Sequence, residues 1–256
     1  MNHSEIALDR NELPYIRFYR LLRSAPRPVR ASRDAMGTLP LRACRYCEAS
    51  AVASSFGWWL FPPMDFSLLW DGSRLLWTWG DRKDWFLLEA AQFPGYAAEF
   101  DSIVPTAVRG YSPPFLTKLP EPGLVQIWTG YFARSNPDWS MLIRAPVNIQ
   151  STFEYQTYEG IVEADCWFGP VFANIHITAQ DVPVRLSASR PLLQIQPVYR
   201  PAYTDNAMNA MSIVDDLEGF NSTDWADYTI TIIERSQTSR DKVGSYALAA
   251  RRRRRM

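Results

Sequence analysis

The chain has 256 residues, of which 27 are basic and 27 are acidic, and its formal net charge is zero. This balance argues against a broad basic surface, so nucleic acid is not an expected partner. No stretch of ~20 apolar residues and no signal-peptide pattern is present, and three cysteines argue against a disulfide framework. We therefore expect a cytoplasmic protein with no membrane partner.

The pattern of apolar residues and turn formers predicts many short strands. Asp71-Gly72 is typical of a two-residue hairpin turn. The first half is predicted to contain a strand at 15–22, an extended connection at 24–33, a short buried helix within 43–55, strands at 56–61, 66–70 and 74–79, and loops with a short helix at 84–123. The second half is predicted to contain a hairpin of strands 124–134 and 139–144, strands at 152–158, 160–168, 171–178, 182–187 and 192–199, an amphipathic helix at 206–220, and a strand or helix at 227–236.

Several short strands at even spacing, without helices between them, indicate an all-antiparallel architecture. We predict a mainly β fold, either a sandwich or a cupin-like barrel, with one or two peripheral helices. Residues 1–245 are expected to form a single domain. Residues 246–256 contain five consecutive arginines, and a charge block of this kind is typical of a solvated, disordered tail.

Three segments carry a motif-level resemblance that covers about residues 15–200. They contain Leu39-Pro-Leu-Arg-Ala-Cys44 with Gly57-Trp58, then Thr129-Gly130 with Ala145-Pro-Val-Asn148, then Gly160-Ile-Val-Glu-Ala-Asp165, Phe172-Ala-Asn-Ile-His-Ile-Thr178 and Arg190-Pro-Leu-Leu-Gln194. In these motifs the chain resembles an uncharacterised bacterial family catalogued as DUF6065. It departs from that family at Ala164, Cys166 and His176. The resemblance implies a β-rich sandwich or cupin-like domain and brings no established activity.

Two strands at 160–178 carry the strongest functional pattern. Alternation places Glu163, Asp165 and Trp167 on one face of the first strand and Phe172, Asn174 and His176 on one face of the second. If Gly169-Pro170 forms a two-residue turn, Glu163 lies opposite His176 and Asp165 lies opposite Asn174. A carboxylate across from an imidazole is suited to general acid/base chemistry. We therefore predict Glu163 and His176 as catalytic residues.

The neighbouring residues are predicted to bind the substrate. Asp165 and Asn174 would orient a polar group, and Trp167 and Phe172 would form a flat apolar wall. Arg190 would clamp a carboxylate, and Trp58, from the tryptophan-rich segment, would line the pocket. The alternative interpretation is structural, because polar rows are common on solvated sheet faces and tryptophan clusters usually fill a core.

A metal site is also conceivable from the cysteines. Cys44 and Cys47 form a C-x-x-C pair that Cys166 and His176 could complete as a zinc site, but the second close pair of a structural zinc site is missing. His3 and His176 are the only histidines, which are too few for the usual two-histidine iron site once His3 is assigned to a frayed terminus. We therefore expect neither a metal nor another cofactor.

The leading hypothesis is a metal-independent enzyme that tailors a small aromatic or apolar substrate by acid/base chemistry, such as a cyclisation, isomerisation or dehydration. Such reactions are typical of natural product biosynthesis. The alternative is a non-catalytic domain that binds a small molecule or a partner, and the third hypothesis is a structural zinc protein. The expected partner is a small-molecule substrate, and a homodimer remains an option.

Overall fold

The computed structural model describes residues 15–150, 154–233 and 245–254, and it is mainly β, as predicted. Within these ranges the strands are β1 (Ile16–Arg20), β2 (Val29–Arg30), β3 (Trp58–Leu60), β4 (Phe66–Trp70), β5 (Leu75–Trp79), β6 (Phe86–Leu87), β7 (Ala90–Ala91), β8 (Leu116–Lys118), β9 (Leu124–Ser135), β10 (Trp139–Arg144), β11 (Tyr155–Tyr158), β12 (Gly160–Val162), β13 (Gly169–Ile177), β14 (Val184–Leu186) and β15 (Leu193–Tyr199). The helices are α1 (Leu41–Tyr46), α2 (Glu48–Ser55), α3 (Tyr96–Ile103), α4 (Asp205–Asn209), α5 (Ser222–Tyr228) and α6 (Ser245–Arg253).

The described strands form three antiparallel sheets. Sheet A has the order β11-β13-β9-β8-β7, and β1 also pairs with β9. Sheet B has the order β12-β10-β15-β3-β2, and sheet C has the order β14-β4-β5-β6. None of these sheets closes on itself, so the sandwich alternative fits and the barrel alternative does not.

One hydrophobic core joins all three sheets. Sheet A contributes Ile127 and Ile175, sheet B contributes Met141, and sheet C contributes Leu68 and Leu75, all of which are almost fully buried. In β13 the buried side chains alternate with half-buried ones, so one face of this strand lies in the core, as the sequence predicts. Among the described helices, none is long and apolar enough to cross a membrane.

The hairpin at Asp71-Gly72 is confirmed, because β4 and β5 pair directly across it. The hairpin predicted from 124–134 and 139–144 is wrong, because β9 belongs to sheet A and β10 belongs to sheet B. The physical reason is that neither edge of β9 is free. β13 occupies one edge, and β8 and β1 share the other, so β10 crosses to the second sheet and pairs with β12 and β15.

The strand predicted at 160–168 ends early, at Val162. The backbone N–H groups of Cys166 and Trp167 both donate to the carbonyl of Glu163, and this turn takes the chain out of sheet B. Gly169 and Pro170 then begin β13, where they pair with β9, instead of forming a turn. The predicted register is therefore wrong, because His176 lies opposite Gln156 and Asn174 lies opposite Tyr158 of β11.

Two predictions near the C-terminus also need correction. The helix predicted at 206–220 is α-helical only over α4, with a 3-10 turn at Leu217–Gly219, because its apolar face has no sheet to pack against and packing supplies most helix stability. The predicted disordered tail instead forms α6 over Ser245–Arg253, where Ala247 and Ala250 are buried. The segment predicted as strand or helix at 227–236 is helical through Ile233, and its remainder lies outside the described residues.

Candidate functional site

The structure does not bring the eight predicted site residues together. Glu163 and Asp165 lie at the turn after β12, and Asn174 and His176 lie on the half-buried face of β13 together with Phe172, which packs against the core. The others occupy three further places, with Trp167 against the start of β13, Trp58 in β3, and Arg190 in the loop before β15.

Both carboxylates at the turn are bound to Arg200. The Arg200 guanidinium donates to Asp165, and its Nε lies 3.6 Å from Glu163 Oε1. The backbone N–H of Asp138 also donates to Asp165, at 3.0 Å. Burial raises the pKa of Asp165, but these hydrogen bonds and the Arg200 charge outweigh burial, so the net pKa lies below its usual range. Asp165 is therefore the ionised partner of Arg200 in an ion pair, and this carboxylate is not poised to transfer a proton.

On sheet A the polar residues bind one another. Gln126 Nε2 donates to Asn174 Oδ1 at 3.2 Å, and the His176 ring lies nearly parallel to Tyr158, with centroids 6.4 Å apart. No carboxylate among the described residues forms an ion pair with His176. The expected dyad is therefore absent from this face.

The two tryptophans predicted to bind a substrate, Trp167 and Trp58, instead pack against residues of the fold itself. The Trp167 ring lies so close to Gly169 that a Cβ there would come within 2.3 Å of it, and this contact requires glycine at the start of β13. Trp58 meets Phe18 edge to face, with ring centroids 6.2 Å apart, at the margin of the core. The core-filling interpretation therefore describes Trp58 better than the pocket interpretation does.

A cleft of about 570 Å³ lies where the three sheets meet at β11, β14 and the loop before β15. Arg190 lines it, together with side chains that the sequence did not single out. The other lining residues are Pro62, Ala145, Pro146, Ile149, Gln150, Tyr155, Gln156, Thr157, Glu159, Thr178, Arg185, Leu186, Ser187, Pro191 and Leu192. They come from five separate segments of the chain, so no local motif could have revealed the cleft.

The cleft is lined by more unpaired positive charge than negative charge among the described residues. Arg185 and Arg190 are exposed, and neither forms an ion pair with a described carboxylate. Glu159 is already bound to Arg144, at 3.1 Å. Burial raises the pKa of Tyr155, although the nearby charge of Arg190 acts in the opposite direction. The cleft thus offers two guanidinium groups and a neutral phenol, with its one lining carboxylate already paired.

One wall of the cleft is held in place by Gln194, which is fully buried. The backbone N–H of Val147 donates to Gln194 Oε1 at 2.9 Å, directly after the lining residue Pro146. The Asn148 side chain donates to Ser54 Oγ at 2.9 Å, which ties the same loop to α2. Gly57, beside α2, has φ +101, and a Cβ there would lie 2.0 Å from the carbonyl of Ile195. Gly57, the loop at 145–148 and Gln194 therefore meet around this wall.

The three cysteines are free thiols, with Cys44 and Cys47 at α1 and α2 and Cys166 at the turn after β12. In the part of the chain that the structure describes, no three His, Cys, Asp or Glu side chains group closely enough to hold a metal ion. Comparison with models of known protein families and with curated proteins finds no match to this chain.

Proposed function

We propose that this domain binds a small amphipathic molecule with a carboxylate or similar anionic group in the cleft beside Arg190. The supporting observation is that two guanidinium groups, which form no ion pair among the described residues, line a partly apolar cleft. Its volume of about 570 Å³ falls within the ~300–1,000 Å³ usual for small-molecule sites. Pro146, Leu186 and Leu192 offer apolar contacts for the body of the ligand.

The chemistry of arginine supports the choice of an anion. A guanidinium presents a planar set of donors that matches a carboxylate in a bidentate geometry. Because Arg144 already neutralises Glu159, a ligand carboxylate meets little repulsion at this rim. The protonated hydroxyl of Tyr155 is a further hydrogen-bond donor for the same group.

Binding without chemistry accounts for these features better than the acid/base enzyme does. That hypothesis required Glu163 to lie opposite His176, and β13 pairs with other strands. The described lining residues of the cleft include no histidine or cysteine, and a tyrosine with a raised pKa is a poor base near neutral pH. The same cleft could bind a ligand without transferring a proton to it or from it.

Isothermal titration calorimetry with two naphthalene probes tests the proposal. 1-Naphthoate carries the anionic group, and 1-naphthalenemethanol is its neutral counterpart of similar shape. We expect the acid to bind about tenfold more tightly, because a hydrogen-bonded charge contributes ~1.5–3 kcal/mol before competing costs. Equal affinities for the two probes, or saturation by neither, would reject an anion site.

A further inference from the structure

The segment Asp205–Ile233, here called the acidic arm, stands apart from the sheets. Every residue in it except Ala207 and Phe220 is exposed. At its root the hydroxyls of Ser140 and Tyr203 lie 2.6 Å apart. Beyond that root, no hydrogen bond, ion pair or ring contact joins residues 205–232 to the described residues of the sheets.

The acidic arm nevertheless has a defined local structure. The Asn221 side chain accepts from the N–H of Asp224, and the Asp224 side chain accepts from the N–H of Asn221, which together cap α5. Trp225 packs on Phe220, with ring centroids 5.1 Å apart. The arm therefore presents a preformed surface to a partner.

That surface combines one sign of charge with exposed apolar side chains. The arm contains no lysine or arginine, and its acidic residues are Asp205, Asp215, Asp216, Glu218, Asp224 and Asp227. Its exposed large apolar residues are Met208, Met211, Ile213, Val214, Leu217, Trp225, Tyr228, Ile230, Ile232 and Ile233. A contiguous exposed apolar surface with a charged rim is typical of an interaction site.

The arm also contains a shallow groove of about 330 Å³. Val214, Phe220 and Tyr228 supply its apolar lining, and Asp224 and Asp227 lie beside them. An occupant that matches this groove would place an apolar side chain in it and a cation next to it.

A surface of the opposite charge occurs elsewhere in the same chain. α1, Glu48 and α6 form a surface here called the basic cap. In it the buried Glu48 binds Arg33, Arg251 and Arg254, while Arg251 also donates to the carbonyl of Arg45. Glu48 is the one acidic residue of residues 41–48 and 245–254, and it is already neutralised by its arginines. The cap therefore carries an excess of positive charge.

Apolar and cationic residues alternate on the cap at helical spacing. Leu41 and Arg45 are four residues apart in α1, and Leu248 and Arg252 are four residues apart in α6. Residues at this spacing share a helix face, and all four are exposed. Each pair thus offers a leucine beside an arginine, which is the arrangement that the groove of the acidic arm requires.

From this complementarity we propose that the acidic arm of one copy of the chain docks on the basic cap of a second copy. A reciprocal exchange of arms satisfies both surfaces and closes a two-fold dimer, as symmetric interfaces require. Among the described residues, no hydrogen bond or ion pair joins residues 205–232 to the cap of the same chain, and the zero net charge of the whole chain conceals the difference in charge between these two surfaces. The dimer does not depend on the ligand cleft.

Two charge-reversed proteins test the exchange of arms. The first carries Asp215→Lys and Asp227→Lys in the arm, and the second carries Arg45→Glu and Arg252→Glu in the cap. The full chain should sediment at twice its 29.4 kDa mass. Each reversed protein alone should dimerise at least about tenfold more weakly, because it opposes like charges across the interface. Arg109→Glu, an exposed charge outside both surfaces, is the control and should leave the dimer unchanged.

A one-to-one mixture of the two reversed proteins separates this proposal from its alternatives. In the mixed pair each arm again meets a cap of opposite charge, so dimers should reappear in the mixture only. That recovery also shows that both variants are folded. A full chain that stays monomeric means that the arm folds back on its own chain or binds a different protein, and either result overturns the proposal. Dimers that persist in both reversed proteins overturn it as well.

Discussion

The indole N–H of Trp59 donates to the side-chain oxygen of Gln194 across sheet B, at 3.2 Å. The same oxygen accepts from the N–H of Val147, and the amide nitrogen of Gln194 donates to the carbonyls of Ser54 and Phe56 at 3.1 and 2.8 Å. One buried amide therefore joins β3, the end of α2 and the loop that walls the cleft. Every donor and acceptor of the amide is used, so the site selects glutamine.

Replacing this amide by an apolar side chain of similar size should be costly. Gln194→Leu leaves the indole N–H of Trp59 and several backbone groups buried without partners, at ~1–3 kcal/mol each. We expect urea unfolding to show a loss of at least about 3 kcal/mol. Gln92→Leu is the control, because Gln92 is exposed and its contacts with Ser112 are 3.4 Å long, so its change should stay within about 0.5 kcal/mol. Equal losses in the two variants would contradict this role.

The attachment of α6 should depend on pH through Glu48. Burial raises the pKa of this carboxyl, but the hydrogen bonds and charges of Arg33 and Arg251 outweigh burial, so the folded-state pKa lies below its usual range. The stabilisation is therefore complete above the unfolded pKa of ~4.3 and is lost as the pH falls through the lower folded value. The protection factors for amide hydrogen exchange of residues 247–253, which correct for the intrinsic pH dependence of exchange, should fall across that acidic window.

The same attachment can be tested at neutral pH with one substitution. Glu48→Gln leaves three arginines around a neutral group, and breaking a buried pair costs ~3–5 kcal/mol. Exchange in α6 should then be fast at pH 7. Glu99→Gln removes only an exposed contact of 3.9 Å with Arg23 and should leave α6 protected. Protection of α6 that survives Glu48→Gln would show that Glu48 does not hold this helix.

The corrected register of β13 has a spectroscopic consequence. The His176 ring lies parallel to Tyr158 on the neighbouring strand, so ring currents from Tyr158 should shift its imidazole proton signals. Tyr158→Leu should move those signals in the NMR spectrum. Glu163→Gln should not, because Glu163 pairs with Arg200 at the turn after β12. A large change on Glu163→Gln with none on Tyr158→Leu would restore the original pairing.

The sequence predicted those elements whose cause is local. Asp71-Gly72 marks a turn by its own conformational preference, and the alternation in β13 follows from one face packing in the core. The partners of each strand are not local. Whether β10 joins β9 depends on whether β1, β8 and β13 have already filled both edges of β9, and no pattern within 124–144 records that.

The difference between local and non-local causes also explains which residues of the cleft the sequence predicted. The sequence predicts Arg190 as a binding residue because an arginine beside a turn can clamp a carboxylate, and Arg190 lines the cleft. Arg185, in β14, and Tyr155, in β11, line the cleft too, but they reach it from separate strands and carry no shared motif. Glu163 and His176 formed a convincing pair only under an assumed turn at Gly169-Pro170. Because β13 begins at Gly169 and pairs with β9, these two residues do not form that turn.

Calorimetry on a variant without the two cleft arginines tests the central claim most directly. Arg185→Gln with Arg190→Gln removes both guanidinium groups that line the cleft, and Arg17→Gln with Arg109→Gln is a matched loss of charge at exposed positions outside it. We predict that the cleft variant binds 1-naphthoate and 1-naphthalenemethanol with equal affinity, while the matched variant keeps a preference of about tenfold for the acid. A cleft variant that still prefers the acid would contradict the proposed anion site.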